Sequence, residues 1–72
     1  MKKIREIETD LHKVFPLFDI RIDEHAHPMQ ITILKTGTHK IVRGPFIYLY
    51  PNNLKYLRIV VTDALNALNP FD

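Results

Sequence analysis

A chain of 72 residues without a single cysteine has neither disulfides nor thiolate-bound zinc to support it, and a domain this small buries only about 60% of its unfolded surface. Its 46% hydrophobic and 25% charged residues exclude a disordered tail, and no apolar run approaches the ~20 residues of a membrane-spanning helix. The formal charge of +2 hides an asymmetry, because no Asp or Glu lies between His25 and Thr62, a stretch that carries Lys35, Lys40, Arg43, Lys55 and Arg58.

Ile4, Ile7, Leu11 and Val14 recur at helical spacing, with Phe15 extending the stripe and polar residues between them. Residues 2–15 are therefore predicted as an amphipathic helix. Pro16 stops it, because a proline disfavours helical geometry in the residue before it. Alternation of Phe18, Ile20 and Ile22 with Asp19, Arg21 and Asp23 predicts a half-buried strand over 17–23. The polar segment Glu24-His25-Ala26-His27-Pro28 reads as a turn. A second strand follows from Met29 to Lys35, with Met29, Ile31 and Ile33 on one face and Gln30, Thr32 and Leu34 on the other. Thr36-Gly37 is a short turn in which glycine can supply a positive φ. Thr38 to Arg43 returns as a third strand, whose inward face the alternation leaves open. Gly44-Pro45 punctuates the chain, and Phe46 to Tyr50 is predicted as a fourth strand. Inward Ile47 and Leu49 would leave Phe46, Tyr48 and Tyr50 outward. Pro51-Asn52-Asn53 opens the last helix, with Asn52 or Asn53 as N-cap. Leu54, Leu57, Val61, Ala64, Leu65 and Leu68 form its core stripe, and Asn69-Pro70 end it.

The expected fold is α+β: an N-terminal helix, a three- to four-stranded antiparallel meander sheet and a C-terminal helix, in one αβ domain over residues 1–72 with both helices on one face of the sheet. The other face must stay open or be covered by a partner. Tyr56, Ile59 and Val60 lie off the helix stripe and form a candidate interface, so a homodimer is expected of a chain with no other support. Lys2-Lys3 begins like a signal peptide, but Glu6, Glu8 and Asp10 interrupt the place of its apolar core. A soluble, cytoplasmic protein is expected, and Met1 is read as the start of a complete small gene product.

Cations beside aromatic rings are what nucleic acid requires: charge for phosphates and flat faces for unstacked bases. Lys35, Lys40, Arg43, Lys55 and Arg58, with Tyr48 and Tyr50 on the exposed sheet, are the candidate nucleic-acid-binding residues. Lys55 and Arg58 stand one turn apart near the start of the last helix, where free amides already favour anions. The bland alternatives are cross-strand packing for the tyrosines and a solvated helix face for the cations. His25 and His27 beside Asp23 are candidate metal ligands without a clear fourth, against the commoner reading of plain turn histidines, and no cofactor is expected.

His39, following Gly37-Thr38, has the chemistry of a general base or acid. Gly37-Thr38-His39, with the later helix after a short strand, resembles an element of toxins of the HicA type. These small RNA-cleaving proteins have a double-stranded-RNA-binding-domain-like fold and place a histidine after a Gly-Ser pair on a strand. The resemblance implies His39 as the catalytic residue and RNA as substrate. The segment 17–23 and the Pro28 turn have no counterpart in that pattern. Serine and cysteine nucleophiles are absent, as is a glycine-rich phosphate loop. A binder is therefore expected before an enzyme. It is a small RNA- or single-stranded-DNA-binding protein, or alternatively a protein-binding module (inhibitor, adaptor or phage-type accessory protein) acting through its open sheet or edge strand. The phage-type comparison is an analogy of size and composition.

Overall fold

Helical spacing of Ile4, Ile7 and Leu11 gives α1 (Lys2–Val14) one apolar face, and all three residues are buried. The computed structural model describes residues 2–68, so the predicted helix end at Asn69-Pro70 lies outside the described residues. Phe15 closes the last turn, its amide donating to the Leu11 carbonyl at 2.8 Å. Val14, predicted within the stripe, is 69% exposed instead. The chain leaves the helix at Pro16 before the stripe completes another turn.

Three strands follow: β1 (Phe18–Asp23), β2 (Met29–Lys35) and β3 (Ile41–Tyr48), then α2 (Leu54–Leu68). The sheet is an antiparallel meander in the order β1-β2-β3. Phe18, Ile20 and Ile22 of β1 stand opposite Lys35, Ile33 and Ile31 of β2. Buried residues of α1, β1, β2 and α2, joined by Tyr48, form a single cluster. Phe18, Ile31, Ile33, Leu57, Val61 and Leu65 are its most deeply buried side chains. Asn53 caps α2: its Oδ1 accepts from the Tyr56 amide at 3.0 Å, and its carbonyl accepts from the Leu57 amide at 3.1 Å. Among the described residues no helix is long and apolar enough to cross a membrane.

The segments predicted as third and fourth strands are one strand, which runs through Gly44-Pro45. Two irregularities of register accommodate this, one between Ile31 and Ile33 and one between Ile33 and Leu34. Each lets β3 carry an extra residue against β2, as a bulge does. The face of the segment predicted as the fourth strand is the reverse of that predicted. Tyr48, opposite Met29, is 3% exposed, whereas Ile47 and Leu49, predicted inward, are 59% and 66% exposed. Val42 and Phe46 pack against the core, and Ile41 is exposed. Leu34, predicted outward, is buried but stands outside the core cluster.

The hydrogen bonds of β1 explain how β3 holds a proline. The Ile22 amide and the Phe18 carbonyl point away from β2, toward Glu8 and His12 of α1. Alternation then makes Met29, Ile31, Ile33 and Lys35 the β2 residues that bond toward β3. The Lys35 amide does donate to the Lys40 carbonyl, at 2.8 Å. Phe46, opposite Ile31, faces β2, so Pro45 just before it has its nitrogen on the outer edge. No ladder bond is lost there.

Candidate nucleic-acid interface

The β2–β3 turn is built from its own short side chains. The Thr38 hydroxyl donates to the Lys35 carbonyl at 3.4 Å and accepts from the Lys40 amide at 3.3 Å. Gly37 and His39 both take the left-handed conformation, with φ of 84° and 56°. Glycine adopts it freely, whereas histidine does so at a cost. Thr36 then fastens the turn to the corner between α1 and β1. Its amide donates to the Leu17 carbonyl at 3.0 Å and its hydroxyl to the Pro16 carbonyl at 2.8 Å.

That fastening brings the last turn of α1, which carries His12 and Lys13, to the same end of the molecule as the hairpin. Lys13, Lys35, His39, Lys40 and Arg43 are all exposed. Arg43 sits at the register irregularity, and its guanidinium carbon lies 4.7 Å from the Phe46 ring centroid. The stacking leaves the guanidinium's in-plane donors available to an anion. Asp19 stands opposite Leu34, and its Oδ1 lies 3.1 Å from His12 Nδ1, while Glu6 and Asp10 share a hollow with Lys13. The same Nδ1 lies 2.7 Å from the Phe18 carbonyl oxygen. Two oxygen acceptors identify Nδ1 as the protonated nitrogen.

The predicted cations therefore divide into two groups. Lys35, Lys40 and Arg43 are brought together on the hairpin. Lys55 and Arg58 line a hollow of about 230 Å³ between α1 and α2, with Lys3, Glu6, Ile7 and Leu54. Arg58 Nη2 donates to Asp10 Oδ2 at 3.2 Å, so that hollow is of mixed charge. It lies toward the far end of the sheet, and β2 with its 7 residues is roughly 20 Å long at about 3.3 Å per residue.

Of the two predicted base-stacking tyrosines, Tyr50 is exposed and Tyr48 is not. Tyr48 fills the core edge, and its hydroxyl donates to the Asn53 carbonyl at 2.7 Å. Burial pushes its phenol above the ordinary range, and the neighbouring phenols of Tyr56 and Tyr50 add to the rise. The candidate interface of Tyr56, Ile59 and Val60 also divides. Tyr56 joins the tyrosine cluster, Ile59 faces solvent, and Val60 packs against the core.

Asp23, His25 and His27 are not arranged as a metal site. Asp23 Oδ1 accepts from the His25 and Ala26 amides at 3.1 and 3.2 Å, which makes it the organiser of the turn. Among the described residues no three His, Cys, Asp or Glu side chains are grouped to hold a metal ion. His39 stands in the turn before β3 rather than on a strand.

Lys13 is the member of the basic end that sequence reasoning missed. The two Thr36 hydrogen bonds tie the hairpin to the corner that follows its helix end, and nothing in local periodicity announces them. No family model matches the chain, and no curated protein or solved structure proved similar to it.

Proposed function

We propose that the protein binds RNA or single-stranded DNA through its hairpin end. The observation that carries this reading is the fastening of the β2–β3 turn to the α1–β1 corner by Thr36, at the end of the molecule where Lys35, Lys40 and Arg43 are exposed and where the helix that carries Lys13 ends. Clustered exposed cations attract a phosphate chain and release its counterions. Arg43, braced on Phe46, offers a planar donor set, and His39 adds a ring at the tip. A cytoplasmic location agrees with the lack of cysteine.

The test is fluorescence anisotropy with a labelled single-stranded oligonucleotide. Lys40→Ala and Arg43→Ala are each expected to weaken binding several-fold, and Lys13→Ala by a similar factor. Lys55→Ala is expected to change it little. Equal affinity of Lys13→Ala, Lys40→Ala and Arg43→Ala with the parent would remove the reading. Self-association is a narrower part of the same proposal. Exposed Ile41 and Ile47 give β3 an apolar area, and a strict monomer in sedimentation at rising concentration would exclude it.

A further inference from the structure

The chain has 3 tyrosines, and Asn53 holds all of them where β3 runs into α2. Its amide donates to the Tyr50 carbonyl at 2.9 Å, its carbonyl accepts from the Tyr48 hydroxyl at 2.7 Å, and its Oδ1 accepts from the Tyr56 amide at 3.0 Å. The rings are gathered as a result, with centroids 6.0 Å apart for Tyr48 and Tyr50, 6.1 Å for Tyr48 and Tyr56, and 5.6 Å for Tyr50 and Tyr56. Tyr48 is the buried support, while Tyr50 and Tyr56 are 57% and 43% exposed. These two meet edge-to-face at 80°, so each keeps at least one face that the other does not cover. Exposed rings that are already ordered lose little entropy on binding, which is a property of recognition surfaces.

The surroundings select the ligand. From Gly44 to Leu54 the chain carries no charge, and Arg43 stands just before that run. Only uncharged residues line the hollow of about 250 Å³ among Tyr50, Asn53 and Tyr56. The hollow that holds Glu24 is lined by Tyr48, Leu49 and Pro51 but by neither Tyr50 nor Tyr56. β3 joins this neutral aromatic joint to the basic hairpin, since it starts at Ile41, next to Lys40, and ends at Tyr48. Arg43, stacked on Phe46, lies on the way. Cations at one end of a strand and flat neutral rings at the other match a single-stranded nucleic acid, with phosphates on the cations and unpaired bases on the rings. A protein partner would account for the rings but not for their continuity with the cations.

We propose that Tyr50 and Tyr56 form a stacking platform for unpaired bases of a strand whose phosphates sit on the hairpin cations. The proposal rests on the nucleic-acid reading and extends its site along β3. With its 8 residues, β3 is roughly 26 Å long at about 3.3 Å per residue. A stacked strand covers that length in about eight nucleotides, at about 3.4 Å each. A tetramer held at the hairpin therefore falls short of the rings, and a dodecamer reaches them. No cation lines the tyrosine hollow, so the platform adds affinity without adding to the salt dependence.

The test is fluorescence anisotropy with a labelled thymidine dodecamer, a thymidine tetramer and a double-stranded dodecamer of mixed sequence. Tyr50→Ala and Tyr56→Ala are each expected to weaken the single-stranded dodecamer roughly tenfold, the worth of one base–aromatic stack. The slope of log K against log salt should stay that of the parent. Tyr56→Phe, which keeps the ring, should bind like the parent. Tetramer and duplex should bind the alanine variants and the parent alike, and the single-stranded dodecamer alone should shift the backbone amide signals of residues 49–56. If the alanine variants bind that dodecamer like the parent while Lys40→Ala weakens it, the platform is excluded and the hairpin reading stands. A loss equal for dodecamer, tetramer and duplex would make the tyrosines supports of the fold and overturn the proposal as well. Absence of any oligonucleotide binding would overturn both readings together.

Discussion

Tyr48 places a phenol at the core edge, hydrogen-bonded to the Asn53 carbonyl and raised in pKa by burial first and by Tyr56 and Tyr50 second. A tyrosine in the unfolded chain titrates near about 10. Because the folded value lies above that, the folded state holds its proton more tightly. The resulting stability is fully present below about pH 10 and is lost as pH rises through the folded pKa. The expected outcome is a urea midpoint that falls as pH rises above about 10 in the parent. Tyr48→Phe should be less stable at neutral pH by about 1 kcal/mol, through loss of the bond to Asn53, and should show a shallower alkaline fall. A parent and variant with identical pH profiles would show that the phenol is not held as described. His39 is a second residue with a measurable conformational cost. Its φ of 56° is one that glycine adopts freely, so His39→Gly should raise stability by about 0.5–1 kcal/mol in urea unfolding. Under the resemblance to RNA-cleaving toxins the same change would abolish RNA cleavage. If His39 is only a turn residue at a basic tip, it should reduce oligonucleotide affinity slightly.

At the scale of elements, both edges of the sheet are closed to a further strand, by different means. Glu8 and His12, four residues apart on α1, reach the outer edge of β1. Glu8 Oε2 accepts from the Ile22 amide at 2.8 Å, and His12 Nδ1 donates to the Phe18 carbonyl at 2.7 Å. Pro45 and the register irregularities interrupt the outer edge of β3. Glu8→Ala would leave the Ile22 amide without its partner, at a cost of about 1–2 kcal/mol. It should also raise hydrogen exchange at Ile22 well above that at Arg21, whose amide faces β2. Equal protection in parent and variant would mean that α1 does not guard this edge. The two helices and the strands β1 and β2 were legible because most of their apolar residues repeat at 3.6 or at 2, with Val14 and Leu34 as exceptions. β3 was not, because its extra residues reset the alternation and carried Tyr48 inward in place of Ile47. Gly44-Pro45 has the local chemistry of a break, and only the free outer edge makes it tolerable within a strand. The same inversion removed Tyr48 from the exposed candidates.

For the whole molecule, the acid-free stretch of sequence resolves into two differently charged regions. The hairpin gathers Lys35, Lys40 and Arg43, and Lys13 lies in the last turn of α1, just before the corner that Thr36 holds. Lys55 and Arg58 share their hollow with Glu6, and Arg58 is paired with Asp10. Charge sequence alone was unable to separate these groups, since the separation depends on which end of a strand each residue reaches. Salt dependence can count them. For single-stranded nucleic acid the slope of log K against log salt is about −0.7 per neutralised phosphate. Four hairpin-end cations predict a slope of roughly −3, whereas recruitment of Lys55 and Arg58 as well would bring it to roughly −4. Lys13→Ala should make the slope shallower by about 0.7, and Lys55→Ala should leave it unchanged. Binding isotherms at several salt concentrations decide the matter. A slope near zero would mean that the cations do not meet phosphates, and a shift with Lys55→Ala would move the interface to the helices.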